Sequence, residues 1–498
     1  MSKTSGRPQT RYVCQSCGES FLRWEGQCRA CAAWNSLVET QVRDVARAAR
    51  ASVGQGRRGT LGPGPVPTAL GEVGEPDQPR LPVGIAELDR VLGGGLVPGS
   101  LVLVGGEPGI GKSTLVLQAA AGVARAAGPL SVLYATGEES TAQVRLRAER
   151  LGLLAGPAGG IRVLPESAID RIAEVVISEP PLLLVIDSVQ TATIDALDGP
   201  AGSVGQVRGS ALALMELAKP AGIAVVLVGH VTKDGSIAGP KTLEHLVDAV
   251  LTLDGERYAA VRLLRASKNR FGSTEEVGVF EMGEHGLTEV ADPARAFLAE
   301  HDGPAPGSVI APTLEGSRPL LVEVQALVAP GPGGTPRRTT SGVDANRVAL
   351  LVAVLARRAG IGLASHDIYV NLAGGLTVDE PALDLPLALA LASSLRDRPV
   401  AQGTVAIGEV GLLGELRSVT GLERRLREAA RLGFDRAIVP RPSRSAAPTQ
   451  VPGLEIAAVG SLREAIDLAF AGGRSRATSP AGDGPTIADR VAAGPARC

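Results

Sequence analysis

Residues 100–114 read SLVLVGGEPGIGKST. The opening six are a short apolar run, the pattern of a strand covered on both faces of a parallel sheet. Gly106-Glu107-Pro108-Gly109-Ile110-Gly111-Lys112-Ser113 then matches G-x-x-x-x-G-K-[ST] in full, and STLVLQAAA carries on from it as a helix. Strand, glycine loop and helix in that order form a P-loop. Its glycines let successive backbone N–H groups wrap a polyphosphate, and the helix N-terminus adds positive potential. Gly106 through Thr114 are therefore the expected ATP-binding set. Lys112 would reach the β- and γ-phosphates, and the Ser113 hydroxyl would ligate Mg2+.

Outward from this stretch, SVLYATG, PLLLVID and GIAVVLVGH repeat the strand pattern, with helical segments such as SALALMELAKPAG between them. The alternation continues to about residue 290 and predicts an α/β fold with right-handed crossovers. Such sheets bind ligands beyond the C-terminal ends of their strands. Asp187 closes LLLVID there and is placed to hold Mg2+ through water. Glu138 and Glu139 follow SVLYATG. Hydrolysis needs a carboxylate near the γ-phosphate to orient and deprotonate water, and Glu138, nearer the strand end, is the better candidate. An acid favoured by the helix dipole is the plainer reading, and it suits Glu139 better. His230 ends GIAVVLVGH, where either a γ-phosphate sensor or a satisfied core histidine would sit. Residues 195–210 and 232–241 are long Gly-rich loops, whose Gln206, Arg208, Lys233 and Lys241 are polar candidates for a DNA backbone.

Lys268-Asn269-Arg270-Phe271-Gly272 lies in a basic run, 257–272, with five Lys/Arg and no acid. Lys268 and Arg270 alternate on an expected strand, so both would face one side. They could place a cation on a transferring γ-phosphate as an arginine finger does, contact nucleic-acid phosphate, or blunt an edge strand.

Four of the five cysteines fall within eighteen residues, as Cys14-x-x-Cys17, ten residues, then Cys28-x-x-Cys31. Two tight turns of this kind bring four thiolates to the corners of a tetrahedron, which suits Zn2+. Four sulfur ligands leave no open position, so the metal is expected to be structural. Residues 1–50 hold eight Lys/Arg against four Asp/Glu, which reads either as a nucleic-acid contact or as a solvated basic face.

The chain has 498 residues, room for about three domains of roughly 150. Hydrophobic residues at 44% and charged residues at 20% fit a globular protein with a sizeable core. The net charge of −2 excludes a uniformly basic coat for nucleic acid, and 2% aromatics argue against a general stacking platform for single strands. The N-terminus MSKTSGRPQT lacks an apolar signal core, and no apolar run approaches the roughly 18–20 residues of a bilayer span. A cytoplasmic protein with no membrane partner is the expectation. Composition places a zinc module at 11–40, a Gly/Pro/Ala/Arg-rich linker at 41–80 and the ATPase unit at 81–295. A Pro/Gly-rich stretch near 302–308 opens a further α/β unit at 305–472, and 473–498 reads as a disordered tail.

In this order the motifs resemble the bacterial RadA (Sms) DNA-repair family. CQSCGESFLRWEGQCRACAAWNSLVE is similar to its zinc-finger opening, and LPVGIAELDRVLGGGLVPGSLVLVGGEPGIGKST to the start of its RecA/DnaB-type ATPase core. GEESTAQVRLRAERLG, HVTKDGSIAGPKTLEHLVDAV and KNRFG are similar to its further core motifs, KNRFG being the most specific. The resemblance covers about residues 11–470. It implies an ATP-driven, helicase-like DNA translocase that promotes branch migration in recombination. The partners it implies are single-stranded or branched DNA, the recombinase RecA and further copies of the chain in a hexameric ring. It also implies that KNRFG, through Lys268 and Arg270, acts at the nucleotide site or across the subunit boundary. The unit at 305–472 resembles the proteolytic domain of Lon proteases, whose nucleophilic Ser stands in G-P-S-A-G and whose Lys stands in G-G-L-K. Here Ala382 and Glu423 occupy those places, so no acyl-enzyme chemistry is expected and the domain reads as a non-proteolytic scaffold. Residues 417–444 hold eight Arg against three acids and offer it a basic face. An ATP-dependent Lon-like protease and a signalling ATPase of the circadian-clock type are the alternatives.

Overall fold

A computed structural model describes residues 9–14, 19–34, 37–42, 69, 79–230, 241–255, 260–294, 297–298, 303–331, 335–442 and 450–470. Cys17, Lys233, most of the 41–80 stretch and all of 473–498 lie outside them, as does the side chain of Lys241.

At the N-terminus, β1 (Gln9–Cys14), β2 (Ser20–Phe21) and β3 (Leu37–Val42) pair antiparallel in the order β2-β1-β3. Cys14, Cys28 and Leu37 form the small core beside them.

The second sheet has nine strands. β4 (Leu101–Gly106), β5 (Val132–Thr136), β6 (Arg162–Leu164), β7 (Leu183–Asp187), β8 (Ala224–Val228) and β9 (Ala249–Asp254) run parallel. β10 (Val261–Asn269), β11 (Val277–Gly283) and β12 (Gly286–Glu289) extend it antiparallel, giving the order β12-β11-β10-β9-β4-β8-β7-β5-β6. Its central strands β4, β5, β7 and β8 are buried along their whole length because both faces are covered. Val102 and Val104 of β4 turn to one core, shared with α1 (Ala86–Leu92) and α2 (Lys112–Ala127). Leu101 and Leu103 turn to the other, shared with α4 (Ile169–Ser178) and α5 (Val204–Ala221). The same alternation splits Leu183 and Val185 from Leu184 and Ile186 on β7. Two shorter helices complete the unit. α3 (Thr141–Arg150) opens on a capping box between Ser140 and Gln143, and α6 is Lys241–Leu246.

The third sheet joins β13 (Ser308–Glu315), β14 (Arg318–Pro330), β15 (Arg338–Ser341), β16 (His366–Leu372), β17 (Thr404–Ala406), β20 (Arg436–Pro440) and β21 (Glu455–Val459) in the order β15-β16-β14-β13-β17-β20-β21. β18 (Glu409–Val410) and β19 (Leu416–Arg417) form a separate hairpin. α8 (Asp384–Arg396) is buried from Asp384 through Ser393 and lies in the middle of the core, which α7 (Ala345–Val354) and α10 (Leu462–Phe470) also line. α9 (Leu422–Arg431) turns Leu426 and Ala429 into a neighbouring cluster. Arg265 on β10 ties the two large sheets together, pairing with Asp254 at 2.9 Å and with Glu315 on β13 at 2.7 Å. The α/β reading of both units thus matches the architecture. Among the described residues, no helix is long and apolar enough to cross a membrane.

Candidate nucleotide site and zinc module

β4 ends where the backbone needs glycine. Gly106 has φ +153°, and a Cβ there would lie 2.6 Å from the Leu253 carbonyl oxygen on β9. The loop then curls around its own lysine. The buried Lys112 Nζ donates to the carbonyls of Gly106 at 2.9 Å and Glu107 at 3.0 Å, and lies 3.2 Å from His230 Nδ1. Burial pulls its ammonium below the usual value, while Asp187 and Glu138 pull it back up. Ser113 and Thr114 follow, half-buried, on the first turn of α2.

The strand ends beside the loop supply the acids. Asp187 closes β7 and is 5% exposed, and its Oδ2 accepts from the Tyr134 hydroxyl on β5 at 2.5 Å. Glu138 accepts from the Ser188 hydroxyl, and its Oε1 stands 3.6 Å from His230 Nε2. Glu139 turns the other way and pairs with Arg147 of α3, whose NH1 is 4.0 Å from Asp187 Oδ2. Lys112, Glu138, Asp187 and His230 therefore converge, and the two adjacent acids separate by direction. His230 is in the site rather than in the core. The Ser113 hydroxyl and the Asp187 carboxylate are hard oxygen donors, the chemistry Mg2+ takes. Sequence reading missed Tyr134, Arg147 and Ser188. In one dimension Tyr134 is a core residue of an apolar strand and Arg147 a solvated helix cation, so neither carries a signal.

KNRFG departs from expectation in detail. The ladder between β10 and β9 shifts register between Ala266 and Lys268, and the strand stops at Asn269, so Lys268 and Arg270 are not alternate residues of one strand. Lys268 Nζ donates to the carbonyls of Glu244 at 2.6 Å and Val247 at 2.8 Å, at the end of α6. Arg270 NH1 donates to Asp248 Oδ1 at 3.0 Å, and the other oxygen of this buried acid accepts from Leu101 N at 3.0 Å. Leu101 is the foot of β4, five residues from Gly106. At about 3.3 Å per residue, Arg270 is held about 17 Å down the sheet from its own P-loop.

Of the polar loop candidates, Gln206 is buried and braces its loop, accepting from Ile194 N at 2.8 Å and donating to Leu197 O at 2.8 Å. It is therefore not a surface contact, whereas Arg208 is exposed. In the third unit Ala382 is buried in the turn Pro381–Leu383, and Glu423 is exposed and paired with Arg427. Beside that turn, the fully buried Arg425 forms a two-pronged pair with Glu380 and donates to Pro312 O at 3.0 Å.

The Sγ atoms of Cys14, Cys28 and Cys31 lie within 4.8 Å of one another, and Cys14 and Cys31 are 3.6 Å apart. A tetrahedral Zn2+ at about 2.3 Å per bond sets its sulfurs about 3.8 Å apart, so these thiols fit the metal. The fourth expected ligand, Cys17, is outside the described residues.

Comparison with known proteins finds three family models that match parts of the chain. Residues 12–39 match a rubredoxin metal binding domain model, 78–236 an AAA domain model, and 344–443 the model for subunit ChlI of Mg-chelatase. The chain is 45% identical over 463 residues to the DNA repair protein RadA of Halalkalibacterium halodurans, covering 93% of this chain and 99% of that one. It is 45% identical over 472 residues to RadA of Bacillus subtilis, with 95% and 100% coverage. It is 48% identical over 460 residues to RadA of Pseudomonas aeruginosa, with 92% and 98% coverage. At such identity over almost the whole of each partner, the chain belongs to the RadA family of DNA repair proteins.

Proposed function

We propose that this chain is an ATP-dependent DNA translocase, helicase-like in its motor, that promotes branch migration in homologous recombination and repair. At the coarser level, its family and its AAA domain make it a zinc-bearing DNA-repair ATPase. The observation that carries the motor reading is the convergence of Lys112, Glu138, Asp187 and His230 at the C-terminal strand ends. In this reading the P-loop amides and Lys112 bind the phosphates. Ser113 and Asp187 hold Mg2+, which when bound neutralises phosphate charge. Glu138 takes the proton of the attacking water, and His230 lies between that carboxylate and Lys112, where it senses the γ-phosphate. Lys268 and Arg270 are too far along the sheet to serve their own site. Their role is then in trans, on the nucleotide of the next subunit of a ring, a hexamer by family resemblance. Single-stranded or branched DNA and the recombinase RecA are the expected partners, in the cytoplasm. The third unit, with Ala382 and Glu423 at the Lon dyad positions, serves as assembly and DNA-binding scaffold.

The test is ATP hydrolysis by the full chain with and without single-stranded DNA. Stimulation is expected. An unchanged rate, with nucleotide bound, would favour a clock-type ATPase and overturn the motor reading.

A further inference from the structure

A tyrosine hydroxyl in the middle of an apolar strand needs an explanation. Tyr134 is wholly buried on β5, between Leu133 and Ala135, which are buried as well. A buried hydroxyl must find a partner or cost free energy. In the β5–β7 register Tyr134 stands opposite Val185 and Thr136 opposite Asp187. Asp187 is thus the diagonal neighbour of Tyr134 on the same face of the sheet, within reach of a long side chain. The hydroxyl uses that position to donate to Asp187 Oδ2 at 2.5 Å. An ionised carboxylate can only accept, so the phenol is the donor of this pair.

Arg147 completes the arrangement from α3. It pairs with Glu139 and brings NH1 to 4.0 Å from the same Oδ2. One guanidinium thereby balances two carboxylates at a site built to receive more positive charge. Arg147 NH1 and Glu139 Oε2 are both buried without a hydrogen-bond partner, so the cluster holds unspent donor and acceptor capacity beside Asp187. Both contacts fall on Oδ2, and among the described residues no protein donor is seen on Oδ1.

We infer that Tyr134 and Arg147 are positioning residues which clamp one oxygen of Asp187, so that the other is presented to a divalent cation bound with nucleotide. The inference rests on the proposed ATP site and extends it, because it says why that carboxylate points where it does. Groups of this kind around a metal ligand are worth about 10–100-fold in metal affinity.

The experiment reads binding, not turnover. A fluorescent ADP analogue is titrated into the full chain in EDTA and then at increasing Mg2+. The unsubstituted chain should bind in EDTA and tighten with Mg2+. Tyr134→Phe keeps the ring and removes only the donor. It should bind equally well in EDTA, yet need about 10–100-fold more Mg2+ to tighten. Arg147→Met should shift the Mg2+ curve the same way, and it serves alone if the tyrosine variant does not fold. Mn2+ binding by electron paramagnetic resonance, with ADP present, should show the same loss. A Mg2+ curve that does not move in either folded variant overturns the clamp. Failure of the unsubstituted chain to bind nucleotide at all would instead overturn the ATP site beneath it.

Discussion

Arg270→Ala separates a structural salt bridge from a catalytic cation, because the two roles predict losses of different size. Arg270 is 53% exposed on its side chain, and its ion pair with Asp248 spans 3.0 Å. A half-exposed pair contributes about 0.2–1 kcal/mol after screening. Asp248 is not orphaned by the substitution, since Leu101 N still donates to it at 3.0 Å. The structural cost should therefore stay near 1 kcal/mol, about 2–4 °C of Tm for a unit of this size. As an arginine finger the same residue is worth about 10³–10⁵ in rate. At roughly 1.4 kcal/mol per decade that is about 4–7 kcal/mol of transition-state stabilisation. Three measurements on one preparation decide between them. These are Tm by calorimetry, nucleotide Kd in a binding assay, and single-turnover ATP hydrolysis with single-stranded DNA. Tm and Kd should hardly move while hydrolysis falls by at least about a thousandfold. Mixing with Lys112→Ala subunits should restore part of the activity, because some interfaces then pair an intact P-loop with an intact Arg270. A loss of less than about tenfold, or no recovery in mixed assemblies whose subunits demonstrably exchange, refutes the trans role.

Three further outcomes follow from the same geometry. Glu138→Gln should bind ATP nearly normally and lose about 10²–10⁴ in turnover, whereas Glu139→Gln, altering only the partner of Arg147, should lose less than about tenfold; the reverse order, read by steady-state hydrolysis, would move the base by one residue. Cys28→Ser should release zinc, measured by a chromogenic chelator, and unfold the N-terminal module while nucleotide binding persists; stoichiometric zinc in that variant would reject the four-cysteine site. Glu380→Ala leaves the guanidinium of the fully buried Arg425 without its carboxylate, and should cost about 3–5 kcal/mol by chemical denaturation of the third unit; a cost under about 1 kcal/mol would mean that the pair is not what holds the turn at Pro381–Leu383.

What could be read in one dimension was whatever chemistry is carried by neighbouring residues. A phosphate loop is eight consecutive positions, two CxxC pairs are local turns, and a buried parallel strand is an unbroken apolar run. Each of these has a pattern of its own, and the α/β architecture follows from repeating the last of them. Asp187 does end β7, as its apolar run suggests, whereas Glu138 lies two residues beyond the end of β5 at Thr136 rather than at the strand end itself. Sequence alone misjudged Gln206, whose polar side chain looked like a surface group and is in fact the internal brace of a loop. It also extended β10 through Arg270, since a bulge leaves no mark in the hydrophobic pattern.

The residues that were invisible share a different property. Tyr134, Arg147 and Ser188 come from β5, α3 and the turn after β7, and each is ordinary in its own segment. Their meaning arises only when the sheet order β7-β5 puts a hydroxyl diagonally across from a carboxylate. The same holds for KNRFG at the other end of the strands. The sequence announces its two cations, yet not that one closes the carbonyl end of α6 and the other is tied through Asp248 to the foot of the P-loop strand. Two adjacent strands, β4 and β9, lead from Asp248 to the phosphate loop, β4 through Leu101, whose N–H donates to Asp248, and β9 through Leu253, whose carbonyl stands where a Cβ on Gly106 would fall.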